Sequence, residues 1–277
     1  MASCNHDCEH CGESCGERSA ESFLFKPNSK IKNVIGIVSG KGGVGKSLIT
    51  GLLASEMNKK GFNTAILDAD ITGPSIPKMF GIHGQIFSDG IYIQPAVSKN
   101  GTKIISMNLC LKDEGEPVVW RGPVLGGVIK QFWEEVDWGE TDYMFVDMPP
   151  GTGDVPLTVF QSLPVKGIII VTTPQELVGM IVSKALKMAA LMNVPVLGLV
   201  ENMSYFECPD CHSKHYIFGE SHLKEIADLN GIKATAQLPV MPELAGFCDA
   251  GNIEAFDAEK YFSDITAFFT SLLTPNS

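Results

Sequence analysis

Residues 40–47, GKGGVGKS, constrain the fold of this 277-residue chain more than any other segment. Gly40, Gly45, Lys46 and Ser47 satisfy the pattern of glycine, four residues, glycine, lysine and serine that forms a phosphate-binding loop. The apolar run NVIGIVS precedes this loop and the helical run LITGLLASEMNKKG follows it, which is the strand–loop–helix context that the motif requires. The sequence therefore predicts a nucleotide-binding domain that contains both strands and helices.

Further short apolar runs alternate with helical stretches along the chain. NTAILD, YMFVDM, GIIIVTT and VPVLGLVEN are typical of strands that are buried on both faces of a parallel sheet. Helices are predicted over 123–136, 175–192 and 258–273, and a hairpin that turns at Asn100-Gly101 should add to a sheet edge. We expect an α/β fold with a doubly wound, mainly parallel sheet and helices on both faces.

Composition divides the chain into two parts. Residues 1–30 are rich in cysteine, acid, glycine and serine and carry too little apolar surface for a core, so we expect a metal-binding or disordered tail. Residues 31–277 should form the nucleotide-binding domain, which also carries the pair Cys208 and Cys211.

Charge and hydropathy narrow the range of partners. The formal net charge of -11 opposes binding to nucleic acid and to anionic membranes, whose phosphates repel an acidic surface. No run approaches the roughly 20 apolar residues of a membrane span, and no apolar signal segment is visible at the N-terminus. We therefore expect a soluble, cytoplasmic protein with no nucleic-acid partner and no membrane partner.

The residue types of the loop suit phosphate binding. Gly42, Gly43 and Gly45 allow backbone amides to turn toward phosphates, while Lys46 supplies charge and Ser47 offers a hydroxyl to Mg²⁺. The candidate nucleotide-binding residues of the loop are Gly40, Lys41, Gly42, Gly43, Val44, Gly45, Lys46 and Ser47.

Acidic residues follow two of the predicted strands. Asp68 and Asp70 end LDAD, and Asp147 begins DMPPGTGD, so all three should lie at the carboxyl edge of the sheet, where open α/β folds bind ligands. We expect Asp147 to hold Mg²⁺ through water, Asp68 to be a further metal ligand and Asp70 to orient the attacking water. A single aspartate of this kind would more often be a helix cap or a surface charge.

Cys208 and Cys211, in CPDC, have a spacing that allows both sulfurs to bind one metal centre. His212 and His215 follow directly, so the motif alone leaves a zinc site and an iron–sulfur site about equally favoured. A redox dithiol is disfavoured because no helix N-terminus is predicted there to lower the thiol pKa.

The chain has eight cysteines, and four of them crowd its first fifteen residues. Four thiols could ligate a four-iron cluster or one zinc ion without a partner. These candidate metal ligands are Cys4, Cys8, Cys11 and Cys15. We interpret Cys110 as a buried structural cysteine and assign no role to Cys248.

Together GKGGVGKS, DADITGPSIP, VDMPPGTGD and ENMSYFECPDC resemble the Mrp/ApbC family of deviant Walker A P-loop ATPases, relatives of MinD, ParA and the nitrogenase iron protein. The N-terminal cysteines resemble the Nbp-type branch of this family, although their spacing departs from the longer one usual there. The resemblance implies ATP and Mg²⁺ as cofactors and a [4Fe-4S] cluster held between two CPDC motifs of a homodimer. It further implies ATP hydrolysis and transfer of the cluster to apo iron–sulfur proteins.

The same resemblance assigns two further roles. It implies that Lys41 reaches the phosphates bound by the partner subunit, so that Lys41, Lys46 and Asp70 are the candidate catalytic residues. It also implies that Asn202 recognises the adenine base. From the residues alone, Lys41 could be a solvated lysine near an anionic ligand and Asn202 a turn-forming asparagine.

Three other functions are compatible with a phosphate loop. A zinc-binding P-loop ATPase would use the same cysteines, and a small-molecule kinase would need a second substrate motif, which is not visible. A MinD- or ParA-like positioning ATPase would favour a basic amphipathic C-terminus. The final segment, DAEKYFSDITAFFTSLLTPNS, has one lysine and three acids, which argues against that function.

Overall fold

The structure is a computed structural model that describes residues 29–70, 75–90, 92–110, 122–151, 154–175 and 178–273. The N-terminal cysteines Cys4, Cys8, Cys11 and Cys15 lie outside the described residues. Within the described ranges, no helix is both long enough and apolar enough to cross a membrane.

The strands of the described residues are β1 (Lys30–Ser39), β2 (Thr64–Asp68), β3 (Phe87–Ser88), β4 (Ile93–Gln94), β5 (Ala96–Val97), β6 (Lys103–Ser106), β7 (Glu140–Asp147), β8 (Gly167–Thr172), β9 (Val196–Glu201), β10 (Phe206–Glu207), β11 (Lys214–His215) and β12 (Ala234–Gln237). Eight of them form one sheet, in the order β12-β9-β8-β1-β7-β2-β6-β5. Every pairing in this sheet is parallel except that of β5 with β6 at one edge. The predicted mainly parallel sheet is confirmed.

Helices occupy the connections between the strands. They are α1 (Lys46–Lys59), α2 (Ser75–Met79), α3 (Gly122–Glu135), α4 (Asp154–Ser162), α5 (Val178–Leu191), α6 (Leu223–Leu229), α7 (Pro242–Asp249) and α8 (Glu259–Leu273). The three helices predicted from apolar periodicity correspond to α3, α5 and α8. The predicted edge hairpin also forms, because β5 and β6 pair antiparallel across the turn that contains Gly101.

Alternating side chains of the central strand β1 point to opposite faces of the sheet, as the period of a strand requires. Val34 and Val38 belong to one apolar cluster, which includes residues of α3, α4 and α5. Ile35 and Ile37 belong to a second cluster, which includes residues of α1, α7 and α8. Helices therefore cover both faces, as a doubly wound fold demands.

The parallel register brings the carboxyl ends of the central strands to one edge. Asp68 of β2 is paired with Asp147 of β7, and Ile37 of β1 is paired with Asp147 on the other side. The loop 40–45 leaves β1 at this edge, so the fold places the phosphate loop beside both acids.

Two glycines hold α2 against the C-terminal part of the domain. Gly81 and Gly251 both have a φ of 64°, in the left-handed region that favours glycine. A Cβ atom added to Gly251 would lie 2.6 Å from the Cα atom of Gly81. Only glycine therefore allows these two backbones to approach so closely.

Gly251→Ala should lower the free energy of unfolding by about 2–5 kcal/mol, because it combines left-handed strain with overpacking. Gly231→Ala is the matched control, since Gly231 has a φ of 66° and nothing within 4 Å of an added Cβ. Its cost should stay near the roughly 1–2 kcal/mol of backbone strain alone. Urea unfolding compares the two variants, and equal losses would contradict the close-approach explanation.

Candidate functional site

The phosphate loop borders a cavity of about 350 Å³ at the carboxyl edge of the sheet. Gly45 is the N-cap of α1 and has no side chain to occupy the first amides of that helix. These amides and the positive end of the helix dipole suit an anionic ligand. The cavity is lined by Ser39, Lys41, Gly42, Gly43, Val44, Gly45, Lys46, Ser47, Leu48, Asp70, Ser75, Met79 and Pro150.

Lys46 is the buried cation of the site, with 6% of its side chain exposed. Its Nζ lies 2.7 Å from Oδ1 of Asp147 and 3.3 Å from Oδ2 of Asp70. Lys46 therefore connects the acid at the end of β7 with the acid that follows β2. The sequence predicts that Asp70 and Asp147 lie at the carboxyl edge of the sheet beside the loop, and the structure places both of them there.

Two hydroxyl groups complete the surroundings of Asp147. Ser47 Oγ donates a hydrogen bond to Asp147 Oδ2 at 2.5 Å, and Thr50 Oγ1 donates to Oδ1 at 3.0 Å. Thr50 is a site residue that was not predicted from the sequence. The signal was available, because Thr50 lies four residues after Lys46 and hence on the same face of α1.

Asp68 lies beside Asp147 in the sheet and does not line the cavity. Ser106 Oγ donates to its Oδ2 at 2.8 Å, and the backbone amide of Asp70 donates to its Oδ1 at 3.1 Å. Burial, followed by repulsion from Asp147, raises the pKa of Asp68 well above its ordinary value. A buried carboxyl group in this setting favours the neutral form.

Burial also raises the pKa of Asp147, but Lys46 and the two hydroxyls oppose that shift. Of two adjacent carboxyl groups, the one paired with an ammonium group keeps its charge more readily. Lys46 therefore favours the charged form of Asp147, whereas burial and repulsion favour the neutral form of Asp68.

The oxygen atoms at this site suit Mg²⁺, which prefers hard oxygen ligands. Ser47 Oγ and the carboxylate of Asp147 already lie together, so both could hold the ion directly or through water. When bound, Mg²⁺ neutralises charge on the phosphates of a nucleotide. The assignment of Asp68 as a ligand stays a prediction, since its oxygens accept bonds from Ser106 and Asp70.

Asn202 contacts the phosphate loop directly. It follows β9, is 4% exposed, and its Nδ2 donates to the carbonyl oxygen of Val44 at 3.0 Å. Its Oδ1 accepts from the amide of Met203 at 2.9 Å. Recognition of adenine by Asn202 stays a prediction, as does the action of Lys41 on a partner subunit; Lys41 itself lines the cavity.

Cys208 and Cys211 lie on the loop of a small hairpin formed by β10 and β11. The amide of Cys208 donates to the Ser213 carbonyl at 3.0 Å, and the amide of His212 donates to the Cys208 carbonyl at 2.9 Å. Cys208 is half-buried and Cys211 is exposed, and neither begins a helix.

The pKa of the Cys211 thiol is lowered, first by the Ser213 side chain, whose hydroxyl oxygen is 3.3 Å from the sulfur, and then by the Ser213 backbone and Cys208. His212 instead pairs through Nδ1 with Glu207 at 3.1 Å. Among the described residues, no group of three or more histidine, cysteine, aspartate or glutamate side chains is placed to hold a metal ion. The local site with two cysteines and histidine that the motif allowed is therefore not assembled in this structure.

A strand–loop–helix with a buried lysine–aspartate pair at the carboxyl edge of a parallel sheet defines a P-loop nucleotide-binding protein. The family described as ParA, NUBPL iron-transfer P-loop NTPase, matches residues 30–273. The chain belongs to this family, which confirms the resemblance found in the sequence.

Relatives and solved structures agree with this assignment. The chain is 46% identical over 238 residues to the iron–sulfur cluster carrier protein of Clostridium perfringens, covering 83% of this chain and 84% of that protein. It is 42% identical to the carrier protein of Methanocaldococcus jannaschii, covering 87% and 86% of the two chains.

This chain is similar, with a TM-score of 0.76, to the structure of a nucleotide-binding protein from Archaeoglobus fulgidus. That protein is in complex with ADP, and cobalt was found in it. Its identity to this chain is 40%, and the match covers 86% of this chain and 92% of that one. MinD of Pyrococcus horikoshii, complexed with Mg-ADP, has a TM-score of 0.59 at 18% identity, covering 88% and 97% of the two chains. That second likeness shows a common fold alone.

Asp68→Asn should flatten the dependence of stability on pH. A carboxyl group whose pKa is raised by folding stabilises the protein fully below its unfolded pKa, near 3.8, and this contribution is lost as pH rises toward the folded pKa. The amide keeps the shape of the side chain but does not titrate. Urea unfolding at several pH values from about 4 upward should show a smaller decline for the variant; parallel curves would place the proton elsewhere.

Proposed function

We propose that this protein is an ATP-dependent iron–sulfur cluster carrier. Two copies hold one [4Fe-4S] cluster between their Cys208 and Cys211 side chains and pass it to apo iron–sulfur proteins, and each copy hydrolyses ATP slowly. The observation that carries the proposal is the placement of two neighbouring thiols on an accessible hairpin that follows directly from the strand end beside the phosphate loop.

The chemistry of the two thiols supports cluster binding. Thiolates are the ligands of iron–sulfur clusters, and the lowered pKa of Cys211 favours its thiolate. One chain supplies only two such ligands at this hairpin, whereas a four-iron cluster needs four. A second copy related by a twofold axis would supply the others, which is why the proposal includes a homodimer.

The nucleotide site supports ATP hydrolysis. Lys46 lies where it can neutralise the phosphates, Ser47 and Asp147 offer oxygens for Mg²⁺, and Asp70 lines the cavity where a water molecule could be oriented. Lys41 lines the same cavity and would act on the nucleotide of the partner subunit. The proposed cycle uses ATP to fix one dimer geometry and hydrolysis to relax it.

The N-terminal tail would add a second metal site. We propose that residues 1–30 hold a cluster or zinc through Cys4, Cys8, Cys11 and Cys15, separately from the ATPase domain over 31–277. The family match, which begins at residue 30, is compatible with this division.

No described feature favours the positioning ATPase of the MinD or ParA type. The C-terminal helix α8 buries Phe262, Ile265 and Phe269 completely. Its apolar face therefore belongs to the core and is not available for a membrane surface.

The double variant Cys208→Ser, Cys211→Ser should lose the cluster at the hairpin. After anaerobic reconstitution, we expect iron and sulfide contents and visible absorption to fall in part, because the N-terminal cysteines remain. Transfer of the hairpin cluster to an apo-ferredoxin is measured as recovery of the ferredoxin spectrum. This transfer should fall at least about tenfold, since hydroxyls replace both thiol ligands of the hairpin.

Cys248→Ser is the matched control, because Cys248 is a half-buried cysteine of α7 outside the hairpin, and burial raises its thiol pKa. It should leave cluster content and transfer unchanged. A colourless wild-type protein that holds zinc tightly and transfers no cluster would contradict the proposed function.

Lys46→Ala and Lys41→Ala should separate binding from turnover. Loss of Lys46 should weaken ATP binding about tenfold or more, because a charge-assisted bond contributes about 1.5–3 kcal/mol. Loss of Lys41 should leave ATP affinity within about threefold but lower turnover at least about tenfold, as removal of a charge supplied by a partner does.

Isothermal titration with ATP and a phosphate-release assay measure the two effects, and circular dichroism verifies folding of the Lys46 variant. Equal losses of affinity in both variants would argue against a division of labour between the lysines.

A further inference from the structure

We infer that Asn202 and Met203 are positioning residues that couple nucleotide binding at residues 40–47 to the exposure of Cys208 within one subunit. The inference rests on the proposed function, which gives the nucleotide site and the cysteine hairpin a common purpose. The contacts between these two sites define the route of the coupling.

The first contact joins the turn 201–204 to the phosphate loop. Asn202 Nδ2 donates to the carbonyl oxygen of Val44, and Val44 is 1% exposed. The approach is close enough that a Cβ atom on Gly45 would lie 2.3 Å from Asn202 Nδ2. A shift of the loop backbone at residues 44 and 45 toward Asn202 would therefore have to displace its side chain.

Hydrogen bonds within the turn 201–204 and to a neighbouring segment fix its conformation. Met203 has a φ of 56°, an uncommon conformation for a residue other than glycine, and its amide donates to Asn202 Oδ1. Ser204 Oγ donates to Oε1 of Glu201 at 2.6 Å, and the Ser204 amide donates to the Leu238 carbonyl at 2.8 Å. Glu201 and Ser204 are fully buried, and their bonds tie the turn to β9 and to the residue that follows β12.

Backbone hydrogen bonds continue from this turn to the thiols. The Tyr205 carbonyl accepts from the amide of Val240 at 2.8 Å, β10 then pairs with β11, and the Cys208 amide bonds to Ser213. Cys208 lies six residues after Asn202, which limits their Cα separation to about 21 Å. The connection is short and anchored along its length.

A nucleotide can shift an equilibrium at the hairpin only if it interacts differently with two states of the chain. Phosphate binding orders the loop around its backbone amides, which fixes the Val44 carbonyl and with it Asn202. We expect this to reduce transient opening of the hairpin, and therefore to slow reaction of the half-buried Cys208.

The experiment measures alkylation of each cysteine by iodoacetamide in the reduced, metal-free, full-length protein, resolved by mass spectrometry. Saturating ADP should slow alkylation of Cys208 by about threefold or more. Cys211 is exposed and serves as an internal reference that should change by less than about twofold.

Met203→Gly tests the route, because glycine adopts positive φ without constraining the turn. It should reduce the ADP effect on Cys208 to less than about twofold, with ADP affinity kept within about threefold. The control Asn193→Gly also places glycine at a residue with positive φ, since Asn193 has a φ of 52°. Asn193 precedes β9, whereas Met203 follows β9. The control should retain the full ADP effect.

Asn202→Asp is a second variant, which replaces the donor to Val44 by a carboxylate and is compared at its own saturating ADP concentration. It should also lose the effect, and it decides the question if Met203→Gly does not fold. Any of three results would overturn the inference. The wild type could show no ADP effect, the variants Met203→Gly and Asn202→Asp could retain it, or Asn193→Gly could lose it equally. Failure of cluster transfer would instead contradict the proposed function and leave these rates unaffected.

Discussion

The buried pairing of Lys46 with Asp147 is the interaction on which the rest of the site depends. The parallel register places Asp147 directly beside Asp68, fully inside the sheet. Two adjacent carboxylates cannot both be charged there without a counter-charge. Lys46 supplies that charge to Asp147, while burial and repulsion from Asp147 raise the pKa of Asp68 and so favour its neutral form. The start of α1 and the ends of β2 and β7 are thereby held in one arrangement.

A buried ion pair of this kind is poor evidence for stability, because removing both charges from water costs about as much as their attraction returns. Its presence at this site is better explained by ligand binding. Lys46, Ser47 and Asp70 all line the cavity, so a phosphate that enters meets a cation and a hydroxyl that are already bonded to Asp147. The contacts that satisfy Asp147 without a ligand are thus the contacts that a nucleotide and Mg²⁺ would redistribute.

Local sequence patterns were sufficient to predict the central strands, four of the helices and the edge at which the site forms, but they did not predict β12, α2, α4, α6 or α7. Asp68, Asp70 and Asp147 each follow an apolar strand, and parallel strands end at a common edge. The pairing of Asp68 with Asp147 could not be predicted, because β7 inserts between β1 and β2 although it comes later in the chain. Strand order is set by packing of the whole domain, and no local spacing encodes it.

The same limit explains why the contact between Asn202 and Val44, which are far apart in sequence, could not be predicted. It also explains why the prediction for the histidines of CPDCHSKH stayed open. Their spacing allowed a zinc site with the cysteines, but His212 has a φ of 58° and pairs with Glu207. The backbone conformation of a tight turn decides which side chains converge, and the sequence motif does not specify it.

The two sites differ in burial in a way that fits a carrier. Lys46 and Asp147 are enclosed, so their charges act more strongly on a phosphate in the cavity than they would in bulk water. Cys211 is exposed and Cys208 is half-buried on a hairpin of two short strands, where one chain offers only half of the ligands of a four-iron cluster. Under the proposed function, that incomplete and accessible ligand set is what allows cargo to leave, since an acceptor can replace thiols without opening the core. The link through Asn202 would then let the enclosed site influence how readily this exchange occurs.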